Sequence, residues 1–399
     1  MDLKIGLMGL SFNSANLGCA ALAISFYQGL TNVLENNNTN CKILVVSAPT
    51  NVKRFENKRY PIEFVEYHLS KPMTVVQTVK ALDGCNIVFD FTEGDSFADI
   101  YGRARFYRSI VLKWIMEKKH IPLVFGPQTY GPFTKPDCRS IARKIIKDAF
   151  RVYSRDDKSK TYLETIGVKR EIHVSTDVAF RLPYQKKNKN EEKKINIGLN
   201  VSGLLWEDSI SDKNVLDLTV NYADYMRKMI KAIQKDSRYH IFLLPHVGTN
   251  VDEAESDYRA CYILHKEFEN CTLIEGFTDP ISAKTALSSM DIVVAARMHA
   301  SIGAFSSGVF TIPFAYSRKF EGYYGRLDYP ILIDGTKEST DDAVEKTLTY
   351  IMDYEQYAHL AEQSRDKAER MLDVFYNDIS QIIPQVMKKD TALSLKKGC

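Results

Sequence analysis

The chain contains no pair of cysteines at metal-binding or redox spacing. Its seven cysteines, Cys19, Cys41, Cys85, Cys138, Cys261, Cys271 and Cys399, are scattered and odd in number. That pattern excludes a C-x-x-C zinc or redox site and argues for a reducing compartment. No uninterrupted apolar run approaches the ~20 residues of a membrane span, and the opening stretch 3–9 is too short for a signal peptide. Charge of one sign is also missing: 53 Lys and Arg stand against 50 Asp and Glu, a net +3. Nothing in that balance is a footprint for nucleic acid. There is no H-E-x-x-H, Walker loop, G-x-S-x-G or carboxylate cluster with metal spacing. The loop Gly9–Gly18 lacks the G-x-G-x-x-G spacing of a dinucleotide site. The absences leave a soluble, cytoplasmic protein with no metal and no cofactor as the expectation. Lys388-Lys389 and Lys396-Lys397 offer a weak peripheral attraction to an anionic membrane surface at most.

What is present is an alternation of short apolar runs with longer helical patterns. With 399 residues, 45% hydrophobic and 26% charged, the chain is long enough for two domains of ordinary size. Strands are expected at 3–8, 43–47, 63–67, 87–91, 123–125 and 152–154, with helices such as 20–30, 74–82, 103–118 and 138–149 between them. Residues 184–194 carry no apolar side chain after Tyr184 and read as a linker. The alternation restarts with strands at 195–199, 241–244, 272–274, 292–295, 309–314 and 331–333, and helices at 215–234, 252–268 and 279–288. From Thr340 the pattern is helical, with Ser339 or Thr340 as N-cap and Pro384 interrupting it near the end. Strands that alternate with helices mean parallel sheets covered on both faces. The expected fold is α/β, two Rossmann-like doubly wound domains facing a cleft. The expected division is 1–185, a linker 186–194, a second domain 195–338, and C-terminal helices and tail 339–399.

In such sheets ligands collect at the C-terminal ends of strands, and the most informative sequence sits at one. Arg297-Met298-His299 follows the apolar run 292–296 and passes into small helix-forming residues. A helix N-terminus favours an anion, a guanidinium grips a carboxylate or phosphate through two parallel bonds, and an imidazole exchanges a proton near neutral pH. Together they point to a small, multiply anionic substrate that is protonated or deprotonated in place. The other strand exits are weaker signals. Gln128, in a turn with two glycines and two prolines, reads as an oxyanion or sugar ligand or as part of a rigid connection. Arg139 opens the basic helix that follows. His246 reads as an anion ligand, a proton donor or a loop histidine satisfied by backbone. Lys319 is a further cation for phosphate or a solvated side chain. Asp95 and Asp99 lie in an acidic turn that binds sugar hydroxyls or caps a helix, and Asn16 lies in the first loop.

In this order the pieces resemble the polysaccharide pyruvyl transferase family. The resemblance runs from about Gly9 to about Lys319. It rests on Asn16-Leu17-Gly18, on Gly94, Ser96 and Asp99, on the loop 126–132, on Ser154-Arg155-Asp156-Asp157-Lys158-Ser159, on Thr176-Asp177-Val178-Ala179-Phe180, and on Arg297-Met298-His299. Cys19 stands where the family carries an acidic residue after Asn-x-Gly, and Asn200-Val201-Ser202-Gly203 lacks the nearby basic residue. The resemblance implies the two-domain fold of GT-B glycosyltransferases, with the first domain on the acceptor side and the second on the donor side. It also implies transfer of the enolpyruvyl unit of phosphoenolpyruvate to two hydroxyls of a surface-polysaccharide sugar, attached to a polyprenyl diphosphate. Arg139, Arg297, His299 and Lys319 match the family's donor-binding and catalytic positions, with Gln128 and His246 beside the donor and Asn16, Asp95 and Asp99 toward the acceptor. The alternatives are a nucleotide-sugar-dependent glycosyltransferase on the same scaffold and a non-catalytic sugar-binding relative.

Overall fold

A computed structural model describes residues 3–14, 16–186, 194–211, 214–253 and 255–397. The chain groups into two compact units, one of residues 1–13, 22–178 and 369–399, the other of residues 14–21 and 179–368. Residues 187–193 of the expected linker lie outside the described residues.

The first unit contains β1 (Leu3–Met8), α1 (Leu17–Asn36) from Leu22 onward, β2 (Cys41–Val46), β3 (Ile62–Val65), α2 (Pro72–Leu82) and β4 (Ile87–Asp90). It continues with α3 (Arg103–Lys118), β5 (Leu123–Gln128), α4 (Pro136–Asp148), β6 (Arg151–Ser154), α5 (Asp157–Thr165) and β7 (His173–Val174). Its sheet has the order β3-β2-β1-β4-β5-β6-β7 and every pairing is parallel. The chain reverses direction across the sheet between β1 and β4, which opens a crevice at their C-terminal ends. Strands β4 and β5 are buried along their whole length, as expected for strands covered on both faces.

The second unit contains β8 (Ile195–Asn200), α6 (Gly203–Ile210), α7 (Tyr222–Ile233), β9 (Tyr239–Leu243), α8 (Asp257–Glu267) and β10 (Cys271–Leu273). There follow α9 (Pro280–Leu287), β11 (Ile292–Ala295), α10 (Met298–Ser306), β12 (Phe310–Ala315), α11 (Arg318–Arg326), β13 (Ile333–Asp334) and α12 (Thr340–Met352). The sheet order is β10-β9-β8-β11-β12-β13, again parallel, with its reversal between β8 and β11. The final helix, α13 (Tyr354–Lys397), closes the described chain.

Several elements differ from the sequence expectation. The pattern 215–234 becomes helical only at Tyr222, because the Asn221 side chain caps that end by accepting from the Asp224 N–H at 2.9 Å. The pattern 252–268 starts at Asp257, capped by Ser256. Helix α6 has no counterpart in the expectation. Helix α13 runs through Pro384 instead of stopping there. Ile379, Ile382, Ile383 and Val386 are all buried around the proline, so packing outweighs the lost backbone hydrogen bond, a cost of roughly 3 kcal/mol.

The grouping of the chain also departs from a break at residue 185. Phe180 packs edge-on against Phe305 and its carbonyl accepts from Lys284 Nζ at 2.9 Å, within the second unit. At the other end, Phe375 of α13 packs on Phe26 and Tyr153 of the first unit. Helix α1 is long and apolar enough, by length and composition, to cross a membrane, but 78% of that apolar window is buried within the protein. Leu22, Ala23, Phe26, Tyr27 and Leu30 are core residues.

Candidate active site

In the second unit, the strands that flank the reversal end in Asn200 and Ala295, which are paired in register. Asn200 is fully buried, and its side chain joins two loops: Nδ2 donates to the Leu244 carbonyl after β9, and Oδ1 accepts from the Arg297 N–H after β11, both at 2.9 Å. The next turn, Val201-Ser202, enters α6, where the Ser202 hydroxyl caps the helix by accepting from the Leu205 N–H. Gly203 opens that helix because a Cβ there would stand 2.4 Å from the Glu255 carbonyl oxygen.

The organising group is Asp257, at the first position of α8 and with no exposed surface. One carboxylate oxygen accepts from the Gly203 N–H at 2.8 Å and from Arg297 Nη2 at 2.7 Å. The other accepts from the N–H groups of His246 and Val247 at 3.2 and 3.0 Å. Arg297 Nε lies 3.0 and 3.3 Å from the two oxygens. A single buried carboxylate therefore holds the exits of β8, β9 and β11 in one arrangement. Burial opposes the guanidinium charge, but the adjacent Asp257 outweighs it and keeps the Arg297 pKa above its ordinary value. Sequence reading missed Asp257. The signal was present as Ser256-Asp257, a cap residue followed by an acid in the first turn, but it was read as the middle of a longer helix.

Arg297 is the N-cap residue of α10, and His299 sits in the first turn. The Nε–Nη2 edge of the guanidinium faces Asp257 and the Glu255 carbonyl. Nη1 makes no hydrogen bond among the described residues, and the side chain stays 16% exposed. The His299 ring packs against Gly18: a Cβ on residue 18 would fall 2.0 Å from Nδ1. The loop that delivers Gly18 is held in two ways. Asn16 Oδ1 accepts from the Gly18 N–H at 3.1 Å, and Asn16 bridges to Val247. The Asn-x-Gly of the first loop is thus a seat for the imidazole.

His246 is 8% exposed, and its Nε2 has no hydrogen-bond partner among the described residues. Burial, with His299 and Arg297 close by, pushes its pKa down to about 3. That shift favours the neutral ring, whose N–H can be directed at an oxygen. Lys319, half-buried, lies in the first turn of α11 after β12.

The remaining sequence-selected residues belong to the first unit. Gln128 is fully buried at the end of β5, with Nε2 donating to the Asp90 carbonyl at 3.2 Å and Oε1 without a partner. Arg139 is exposed in the first turn of α4, its Nε donating to the Phe133 carbonyl at 3.1 Å. Asp99 is a structural clamp: it accepts from the Thr134 N–H and hydroxyl and the Lys135 N–H at 2.9, 3.1 and 2.7 Å. Asp95 is half-buried and contributes to the field around buried Arg155. Arg155 itself is ion-paired to Asp177 at 2.6 Å, which ties the Ser154-Arg155-Asp156 and Thr176-Asp177 segments together as scaffold. Among the described residues no group of three His, Cys, Asp or Glu is placed to hold a metal ion.

Comparison with known proteins bears on both units. Structures similar over almost the whole chain include Anabaena HepE in complex with UDP, at 13% identity, a TM-score of 0.58, and 98% and 100% coverage of this chain and that one. Staphylococcus aureus MnaA with UDP aligns at 11% identity and a TM-score of 0.57, covering 93% and 95%. A UDP-forming trehalose-phosphate synthase from Burkholderia vietnamiensis aligns at 9% and 0.57, covering 97% of each chain. At such identities the likeness concerns the fold alone, and that fold is the GT-B type with two Rossmann-like domains. No curated protein sequence matches the chain. The profile of the polysaccharide pyruvyl transferase family matches residues 16–318, from the asparagine that positions Gly18 to the start of α11. With three quarters of its length covered by that profile, this chain belongs to the polysaccharide pyruvyl transferase family.

Proposed function

We propose that the protein transfers the enolpyruvyl unit of phosphoenolpyruvate to a sugar of a surface-polysaccharide repeat unit, giving a cyclic pyruvate ketal and inorganic phosphate. The observation that carries the reading is the cluster of Arg297, His299 and His246 around buried Asp257, at the strand reversal of a chain in this family. Phosphoenolpyruvate brings a carboxylate and a phosphate. Its binding needs fixed cations that offset the desolvation of both. The Nη1 side of Arg297 holds one anionic group and Lys319 the other. His246, neutral and desolvated, orients an oxygen by hydrogen bonding.

His299 carries the proton. His299 gives a proton to the methylene carbon of phosphoenolpyruvate, which becomes a methyl group, and takes back the proton of the sugar hydroxyl whose oxygen bonds to C2. The bond between C2 and the bridging phosphate oxygen then breaks, and phosphate leaves with that electron pair. The second hydroxyl oxygen bonds to C2 and passes its proton to the departing phosphate, closing the ketal. Charge held by preorganised cations and dipoles supplies most of the acceleration. The acceptor in this reading is linked to a polyprenyl diphosphate, which would bring the enzyme to the cytoplasmic membrane face.

The test is phosphate release. His299→Ala should abolish acceptor-dependent release of phosphate from phosphoenolpyruvate, while the variant still gains heat resistance when that donor is added. Near-normal turnover in His299→Ala would remove the assigned proton carrier. The second reading, a nucleotide-sugar glycosyltransferase, is favoured by one observation: two of the similar structures hold UDP.

A further inference from the structure

The first unit has a cavity of its own, of about 670 Å3, at the reversal between β1 and β4. Its floor is formed where Gly9 meets the turn after β4. The two segments approach so closely that a Cβ on Gly9 would stand 2.2 Å from the Thr92 nitrogen. Thr92 and Glu93 both take left-handed backbone conformations, φ 42° and 55°, which cost energy for non-glycine residues and above all for a β-branched one.

Charge is placed in layers along the cavity. Deepest is the buried pair of Lys113 and Asp90, at 3.0 Å and 3% and 2% exposed. Lys113 Nζ also donates to the Ser109 carbonyl at 3.1 Å and lies over the Phe97 ring. Asp90 accepts from the Thr92 hydroxyl at 2.6 Å. A buried ion pair adds little stability over packed apolar residues, so its presence on a cavity floor points to a ligand. Further out, Arg105 donates to Glu93 at 2.7 Å and to Ser96 at 2.8 Å, and its guanidinium lies over the Tyr101 ring. Arg108 lines the same wall with no carboxylate partner among the described residues. It lies near Tyr67, whose hydroxyl burial pushes up to about 12 against the pull of that guanidinium. At the mouth Tyr101 is 42% exposed and its neighbour Ile100 56%.

One carboxylate, one hydroxyl and one ammonium at the floor, with the two charges paired, suit a neutral polyhydroxyl group better than a deeply placed anion. Guanidinium groups near the mouth suit phosphate. The volume is that of a small-molecule site. We infer that this cavity binds a glycosyl diphosphate, with the sugar ring on Asp90, Thr92 and Lys113 and the diphosphate on Arg105 and Arg108. The inference rests on the proposed pyruvyl transfer only in calling this ligand the acceptor; the cavity chemistry stands without it. The same ligand chemistry comes from two sources, a polyprenyl diphosphate or a nucleoside diphosphate.

Calorimetry on the full chain tests it, with a short-chain prenyl diphosphate sugar, a uridine diphosphate sugar and the free sugar as titrants, and phosphoenolpyruvate titrated in parallel. At least one diphosphate sugar should bind the wild type, and more tightly than the free sugar does. Arg108→Ala and Ala104→Trp, the second filling the cavity from an exposed position on its wall, should each weaken that binding roughly tenfold or more. Neither should alter binding of phosphoenolpyruvate. Whichever carrier binds identifies the source. Failure of both diphosphate sugars to bind, or equal affinity in the wild type and both variants, overturns the site. Failure of phosphoenolpyruvate alone to bind counts against the proposed reaction and leaves the cavity assignment standing.

Discussion

At the scale of single residues, the candidate site depends on how a few side chains are held. Arg297 was legible in the sequence as a cation at a strand end, but its partner was not. Asp257 lies forty positions away and reaches Arg297 only through the fold. Because Asp257 already offsets most of its charge, Arg297 offers an anion one directed edge and not a bare charge. His299 depends on Gly18 in the same way. Gly18→Ala should keep the fold, since alanine suits a helix, yet displace the imidazole. Circular dichroism should be unchanged while turnover falls at least tenfold; wild-type turnover would show that the ring is not positioned from that side.

His246 yields a pH prediction. Its folded pKa of about 3 lies below the ordinary 6.5. Between those values the unfolded chain binds a proton that the folded chain does not. Stability from this group is therefore intact above pH 6.5 and declines as the pH falls toward 3. In denaturant titrations between pH 6 and 4, His246→Asn should lose stability less steeply than the wild type, by roughly 1.4 kcal/mol per pH unit. Parallel pH profiles would mean that the ring is not held neutral by burial.

At the scale of elements, the strands were readable because parallel strands buried on both faces are unbroken apolar runs. β1 and β11 lie where the pattern puts them, and most others begin or end within two residues. Helix starts were harder to read. Where a side-chain cap decides the boundary, as at Asn221 and Ser256, periodicity alone extends the helix too far upstream. Helix α6 escaped because its eight residues are too few for a 3.6-residue pattern to stand out. Local propensity puts a break at Pro384, but the isoleucines packed on either side carry the helix through it. Replacing it with alanine restores a backbone donor inside α13. Pro384→Ala should raise the unfolding free energy by up to about 3 kcal/mol. A loss of stability would mean that the packing of Ile382 and Ile383 requires the proline's geometry.

At the scale of the whole molecule, the doubly wound architecture and its repetition followed from the alternation of strands and helices. The assignment of segments to units did not. Residues 14–21 join the second unit and 369–399 the first, and neither exchange is written in local periodicity. Fold alone does not separate a pyruvyl transferase from a glycosyltransferase built on the same scaffold. The chemistry of the donor does. The most direct measurement is product mass. The protein is incubated with a panel of prenyl-diphosphate-linked and synthetic glycosides, first with phosphoenolpyruvate and then with uridine and guanosine diphosphate sugars. The account predicts a glycoside heavier by a cyclic pyruvate ketal, with one phosphate released per ketal, and no sugar transfer from the nucleotide donors. A glycoside extended by a sugar from a nucleotide donor, and untouched by phosphoenolpyruvate, would contradict it.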